Sequence, residues 1–549
     1  MNTKNLLCKA VLLSTVFAIT VSASFGQAPR PRQQITKPIV ANTTWSSDTT
    51  YVLKGYIYVV NNAVLTIQPG CIIYGDSTNK GALIITRGAK INAIGTASCP
   101  IVFTSAKGLN RRARGDWGGV ILLGKSALNT PTGTANIEGI PPNDSTLYGG
   151  GSTPDIHDNS GTLKYVRIEF AGIALSPNNE INGLTFGAVG DGTTIDYVQV
   201  SFANDDSFEW FGGTVNCKHI IAFRGIDDDF DTDNGFSGKV QYGMGLRDPK
   251  VADVSGSKGF ESDNDANGST NLPQTRAIFC NMTATAGKDT TQNSLFIAGA
   301  HIRRNSHMYL YNSIVMGYPE GLLIDGTLSE NNVLADTLVV DNFITCKDAS
   351  KYVVTTPVNT SVQNLLLSSN TYYSGNKKVK LTDPYKLLAP DYRPKPTSPA
   401  LGAADFNHAV LNDPFFDKVT YVGAFDQTND WTAGWANFDP NSVDYNHSVC
   451  FGSSAKKSET IEPASTAAEV NVYPNPAPGN FKADIIGFNS TVNIKVSNMN
   501  GSVVYNTKQI VSAKTSLINI NLNNAPTGLY VVEISDGKNV ITKKINIVK

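Results

Sequence analysis

At 549 residues the chain exceeds one ordinary domain, unless that domain grows by stacking repeats. Lys+Arg 45 against Asp+Glu 46 gives a formal net charge of −1, so no basic surplus supports nucleic-acid binding. Charged residues are 17% of the chain, below the usual ~25%, and 48 glycines accompany them; this points away from a helical cytosolic enzyme and toward a secreted all-β protein.

The N-terminus agrees. Lys4 and Lys9 lead an apolar run over residues 10–21, too short to span a bilayer comfortably, with small residues at Ser22 to Ser24 and Gly26 to Ala28. The pattern predicts a cleavable secretory signal over 1–27. A lipoprotein anchor is the weaker alternative, because Cys8 precedes the apolar run. No other long apolar run follows, so no transmembrane segment is expected in the mature chain. Of 7 cysteines, Cys71, Cys99, Cys217, Cys280, Cys346 and Cys450 remain after the signal. Their wide spacing, with no CxxC pair, excludes a zinc knuckle and leaves buried thiols or disulfides.

Residues 28–44 read as a flexible lead-in. From Trp45 the chain is a succession of short strands, among them Tyr56 to Val60, Val64 to Ile67, Cys71 to Tyr74 and Ala82 to Thr86, broken by Asn61-Asn62 and Pro69-Gly70. Residues 163–172 then align with 195–204: Tyr165 matches Tyr197, Val166 matches Val198 and Phe170 matches Phe202, at an offset of 32. Degenerate copies follow at His219 to Phe223, Ala277 to Asn281, Met308 to Asn312 and Thr337 to Asp341. One coil per repeat of a right-handed parallel β-helix produces this pattern, each rung burying its face against its neighbours. An antiparallel barrel explains the offset less well.

Acidic residues concentrate between 204 and 265. Asp205, Asp206 and Glu209 precede Asp228, Asp229, Asp231 and Asp233, and Glu261 and Asp263 follow. On a β-helix such residues stack about one strand spacing apart, ~4.8 Å, and carboxylates that close need a counter-charge. Calcium, which takes several oxygens in flexible geometry, is the natural cofactor for these nine residues. The competing reading is a set of solvated turn residues. The run from Asp227 to Asn234 has the acid density of an EF-hand loop but lacks its sixth-position Gly and distal Glu. A third reading is catalysis. A glycosidase needs two carboxylates about the scissile bond, and a lyase needs a base; Arg224, Arg247, His301, Arg303, Arg304 and His307 are the candidates. No GxSxG, HExxH or P-loop occurs.

The stretches Leu65-Thr-Ile-Gln-Pro-Gly70, Gly81 to Gly95, Pro100 to Ser105 and Gly115-Asp-Trp-Gly-Gly-Val-Ile-Leu-Leu-Gly124 resemble the opening coils of secreted pectate-lyase-like β-helix proteins of Bacteroidetes type. The resemblance runs to about Phe438. It implies a parallel β-helix, a fold that carries lyases, hydrolases, adhesins and binding proteins alike. The solenoid is expected to occupy 45–455, closing with an aromatic-rich C-terminal cap built on Trp431 and Trp435.

A Ser/Ala/Glu/Pro-rich linker over 456–468 leads to alternating strands over 469–549, a small β-sandwich. Tyr473-Pro474-Asn475-Pro476, Gly528 and Tyr530 in Pro526 to Val532, and Lys543-Lys544 in the terminal run resemble the type A sorting domain of the type IX secretion system. This implies the secretion machinery as partner and a secreted or outer-membrane-surface location. The sequence thus predicts an exported, non-catalytic β-helix protein that binds polysaccharide or another surface. The alternatives are a calcium-dependent polysaccharide lyase or glycoside hydrolase, and a structural surface-layer component.

Overall fold

The computed structural model describes residues 30–549, apart from 177–178, 289–291, 348–350, 447–449, 451–468, 474, 487, 489–490, 512–514 and 538. The signal at 1–27, the linker at 456–468 and Pro474 lie outside the described residues. Two compact units divide after Phe451.

The first unit is the expected right-handed parallel β-helix. Its short strands stack into a ten-stranded parallel sheet, from Tyr56–Val59 to Val353–Thr356, and a larger parallel sheet folded along a corner. The corner is set by one residue per rung with left-handed backbone: Tyr165, Tyr197, His219, Tyr242, Asn281, Asn312 and Asn342, with φ between 48° and 65°. Each falls where the register is interrupted, as between Lys164↔Asp196 and Val166↔Val198. The repeat that aligns Tyr165 with Tyr197 is therefore a true rung equivalence. Left-handed φ is costly for bulky side chains. Here ring stacking offsets it, with centroids 4.5 Å apart for Tyr165–Tyr197, 4.2 Å for Tyr197–His219 and 5.0 Å for His219–Tyr242. In the later rungs asparagine, which tolerates this conformation, takes over.

The interior is a continuous apolar column. Phe186, Trp210, Phe208, Phe230 and Phe260 stack inside it, all fully buried. Residues Arg32–Ile35, expected in a flexible lead-in, instead pair in parallel with Thr50–Leu53, because the open edge of the first rung templates a further strand.

The segment beyond residue 400 departs from the expected end cap. It runs back along the outside of the corner toward the first rungs. Asn312 Nδ2 donates to Asp405 O at 2.7 Å, Asn281 Nδ2 to Tyr421 O at 2.8 Å and Gln199 Nε2 to Asn437 O at 2.8 Å. Tyr445 Oη then donates to Glu169 Oε1 at 2.7 Å, and Cys450 is disulfide-bonded to Cys99. Trp435 lies edge-on against Tyr165 and Tyr197, and Trp431 against His219. The outward column of corner rings, rather than the open end, is what these tryptophans cover. The end itself receives the helix Thr360–Ser369, whose Val362 and Leu366 join the interior column. Cys71, Cys217 and Cys280 are buried thiols, and the Cys346 side chain lies outside the described residues.

The second unit packs a three-stranded and a four-stranded antiparallel sheet about its own core. The predicted sorting residues converge there. Asn475 Nδ2 donates to Lys544 O at 2.9 Å and its Oδ1 accepts the N–H of Asn546 at 2.9 Å, so the asparagine of the Pro-Asn-Pro turn clasps the last strand. Tyr530, 3% exposed, donates to Pro526 O at 2.8 Å, and Lys543 and Lys544 pair with Val532 and Val531.

Candidate functional site: an acidic ridge on the ten-stranded sheet

Three consecutive rungs bring a four-residue unit into register on the ten-stranded sheet: Asp206-Ser-Phe-Glu209, Asp228-Asp-Phe-Asp231 and Lys258-Gly-Phe-Glu261. Phe208, Phe230 and Phe260 point inward and fix the alignment. Strand alternation then turns Glu209, Asp231 and Glu261 outward as one column, continued by His301.

The first residue of each unit forms a second column held by a side-chain ladder. Asn182 Oδ1 accepts the N–H of Asp206 at 3.2 Å, Asp206 Oδ1 that of Asp228 at 2.7 Å, and Asp228 Oδ1 that of Lys258 at 2.6 Å. One carboxylate oxygen is thus committed to backbone and the other is left to the ridge.

The two columns place oxygens of Asp206, Glu209 and Asp231 within 4.8 Å of one another, and likewise those of Asp205, Asp206 and Asp227, and of Asp228, Asp231 and Glu261. Asp206 is 6% and Glu209 7% exposed. Burial, with neighbouring carboxylates adding to it, raises the carboxyls of Asp205, Asp206, Glu209, Asp228 and Asp231 well above their usual range. The same causes bring Asp233 to about 7. Asp231 Oδ1 is shielded from solvent and, among the described residues, has no hydrogen-bond partner.

The ridge changes character along its length. Lys258 Nζ contacts Glu261 Oε2 and lies 3.4 Å from Asp228 Oδ2. Arg303 Nη2 contacts Glu261 Oε1 while its Nε donates to Asp263 Oδ1 at 2.8 Å, and Arg304 Nη1 donates to Asp263 Oδ2 at 2.8 Å. His301 Nε2 sits 3.2 Å from Asp325 Oδ2, and burial keeps its ring below the ordinary histidine value. Among the described residues no salt bridge reaches Asp206, Glu209 or Asp231.

Eight of the nine sequence-predicted ligands lie on this ridge. Asp229 does not. It points into the solenoid, 0% exposed, where Arg247 Nη1 donates to it at 2.9 Å. Of the six basic candidates, His301, Arg303 and Arg304 reach the ridge. Arg247 is bound to Asp229, Arg224 pairs with Asp248, and His307 receives no ridge contact. Trp210 is fully buried among Phe186, Phe208 and Phe236 and presents no face to the ridge.

Two participants escaped the sequence reading, and a third, Asp227, stood in the acidic run without being counted among the ligands. Asn182, which heads the ladder and donates through Nδ2 to Glu209 Oε2, stands one rung before Asp206. Asp227 joins Asp205 and Asp206. Glu138 comes from the excursion between the strands Val120–Leu123 and Gly161–Glu169. Its carboxyl interacts with Asn182 and Glu209, and loss of surrounding water raises it to about 7. Aligning the units on Phe208, Phe230 and Phe260 would have exposed Asn182; nothing in the sequence points to Glu138.

Residues 36–383 match the family described as pectate-lyase like beta helix domain, and residues 471–549 match the secretion system C-terminal sorting domain. The chain belongs to the pectate-lyase-like β-helix family. It carries a type IX secretion sorting domain and is accordingly a protein exported to the cell surface or beyond. No described helix is long and apolar enough to cross a membrane. No curated protein matches the chain. Among solved structures it is similar to the enzymatically active domain of tailspike protein 2 from bacteriophage CBA120, at 10% identity and TM-score 0.23, covering 90% of this chain and 72% of that one. It is also similar to the full-length tailspike protein 2 of an Escherichia coli O157:H7 bacteriophage, at 10% identity and TM-score 0.22, covering 90% and 64%.

Proposed function

We propose that the exported β-helix binds a polysaccharide or another surface along its ten-stranded sheet, without turnover, and that a calcium ion on Asp206, Glu209 and Asp231 takes part. The observation that supports this is the approach of those three carboxylates with no salt bridge to any of them among the described residues. Their donor set is oxygen only, with the Asn182 amide alongside, and Asp231 Oδ1 lacks a partner among the described residues; hard, multi-oxygen ligation suits calcium and disfavours zinc or copper. A bound calcium would supply positive charge to ligand oxygens, while Asp206, Glu209 and Asp231 hold and orient it.

A second reading, a lyase or hydrolase, draws on His301, whose ring, held below the ordinary histidine value by burial, lies between Glu261 and Asp325. Its surroundings are saturated with ion pairs, which favours the binding reading. A glycan panel with and without calcium, scored for binding and turnover, separates the two. Calcium-dependent retention without new products is expected. Unsaturated or shortened products would replace the binding reading by the catalytic one, and no retention of any glycan would remove it.

A further inference from the structure

The three aligned units differ in one respect. Asp206 and Asp228 open the first two, whereas Lys258 opens the third. Lys258 is 3% exposed, and a buried ammonium must be paired. It contacts Glu261 Oε2 and stands 3.4 Å from Asp228 Oδ2, two of the three carboxylates of the lower triad of Asp228, Asp231 and Glu261. That triad repeats the upper one of Asp206, Glu209 and Asp231 one rung on, shares Asp231 with it, and has the same 4.8 Å closeness. Below it the column of carboxylates ends at His301, and Arg303 and Arg304 neutralise Glu261 and Asp263.

We propose that Lys258 is a tethered counter-ion that fills the lower of two equivalent cation positions, so that the ridge takes one fewer divalent cation than its carboxylates would hold. This rests on the calcium reading of the upper triad. The ammonium supplies charge where a metal would otherwise sit, at no cost in free-ion affinity, and limits exchangeable binding to the upper rungs.

The test counts cations on the full chain, using calcium alone as probe. Titration calorimetry and metal analysis after gel filtration are run on the wild type, Lys258→Gln and Lys258→Gln/Glu209→Gln. Lys258→Gln is expected to bind one calcium more than wild type. It should also lose several degrees of melting temperature in chelator and regain them in calcium. The double variant should keep the added ion while losing the upper one. An unchanged count in Lys258→Gln, with a melting loss that calcium does not repair, overturns the assignment and leaves the upper site standing. A wild type that binds none beside a Lys258→Gln that binds one removes the upper site and leaves the assignment standing. If Lys258→Gln folds only with calcium, the count in that state decides; failure to fold at any calcium concentration overturns the proposal.

Discussion

Asp206 Oδ1 accepts the backbone N–H of Asp228, one rung on, at 2.7 Å, which fixes the carboxylate's orientation and leaves its second oxygen to the ridge. Asn182 makes the same bond one rung earlier with an amide oxygen. An amide therefore suffices for the ladder, and the charge of Asp206 serves something else. Asp206→Asn should keep the stability of the metal-free chain, or raise it by relieving like-charge repulsion. It should weaken calcium binding at least about tenfold, as expected for loss of one of few charged ligands. Asp206→Ala should lose the ladder bond as well, at roughly 1–2 kcal/mol in denaturant unfolding. Equal calcium affinity in wild type and Asp206→Asn would place the ion elsewhere.

The metal-free ridge should also carry a pH signature. Burial and like charge raise Asp206, Glu209 and Asp231 well above their usual range and Asp233 to about 7. In the unfolded chain these groups titrate near ~4. Between those values the folded chain holds protons that the unfolded chain has released, so stability falls as pH rises. The contribution is complete below ~4 and is lost as pH passes through the folded values. In chelator the melting temperature should therefore decline between roughly pH 5 and pH 8, and saturating calcium should flatten that slope. A chelated chain equally stable at both ends would contradict the ion-free electrostatics of the ridge.

The sequence carried the solenoid further than it carried the ridge. The offset between Tyr165 and Tyr197 is a rung equivalence in the folded chain, because each repeat must return the chain to the same left-handed corner. The ridge was legible as a region and only partly as residues. Asp227-Asp-Asp229 reads as a uniform acidic run, yet it turns through a corner where Asp228 meets the ladder and Asp229 enters the core. Its partner Arg247 lies on another rung, and local periodicity holds no trace of that pairing. The path of the segment beyond residue 400 was hidden for a related reason. Its aromatic content marks an apolar surface to cover, but only the stacked corner rings show which surface that is.

Asp229 and Arg247 are both 0% exposed, and Tyr318 Oη approaches Asp229 Oδ2 at 3.4 Å. Burial raises Asp229 to about 6 against the opposing pull of Arg247. Removing one partner leaves the other charged in the core. Asp229→Ala should cost roughly 3–5 kcal/mol in denaturant unfolding, and Asp229→Leu/Arg247→Met should recover most of it. Calcium affinity should be unchanged in the double variant. A loss of calcium binding there would return Asp229 to the ligand set from which its inward direction removes it.

The outer segment should behave as a latch with its bolt at Cys99–Cys450. Trp435 is 1% exposed, donates through Nε1 to Trp431 O at 2.7 Å and packs on the Tyr165 and Tyr197 rings. Trp435→Ala should destabilise this region by roughly 3–5 kcal/mol. Cys450→Ser, which frees the end of the latch, should cost about 2–5 kcal/mol. Limited proteolysis reads both directly, with new cleavage expected between residues 425 and 446 while the rungs stay intact. Glycan binding should be unaffected by Trp435→Ala; a selective loss of binding without new cleavage would give this tryptophan a ligand role.

Asn475 allows the sorting domain to be tested without deleting it. Its side chain bonds Lys544 O and the N–H of Asn546, tying the turn at the start of the module to the strand that ends the chain. Asn475→Ala removes both bonds and should destabilise the module by about 1–3 kcal/mol. Asn475→Asp keeps the acceptor for Asn546 and loses the donor to Lys544. If the secretion machinery reads the folded C-terminal strand, export measured by surface labelling should fall in the order wild type, Asn475→Asp, Asn475→Ala. Deletion of residues 471–549 should abolish it. Full export of the deletion would disprove the sorting role. Full export of Asn475→Ala alongside a lowered melting temperature would show instead that the machinery reads the terminal residues without needing the clasp.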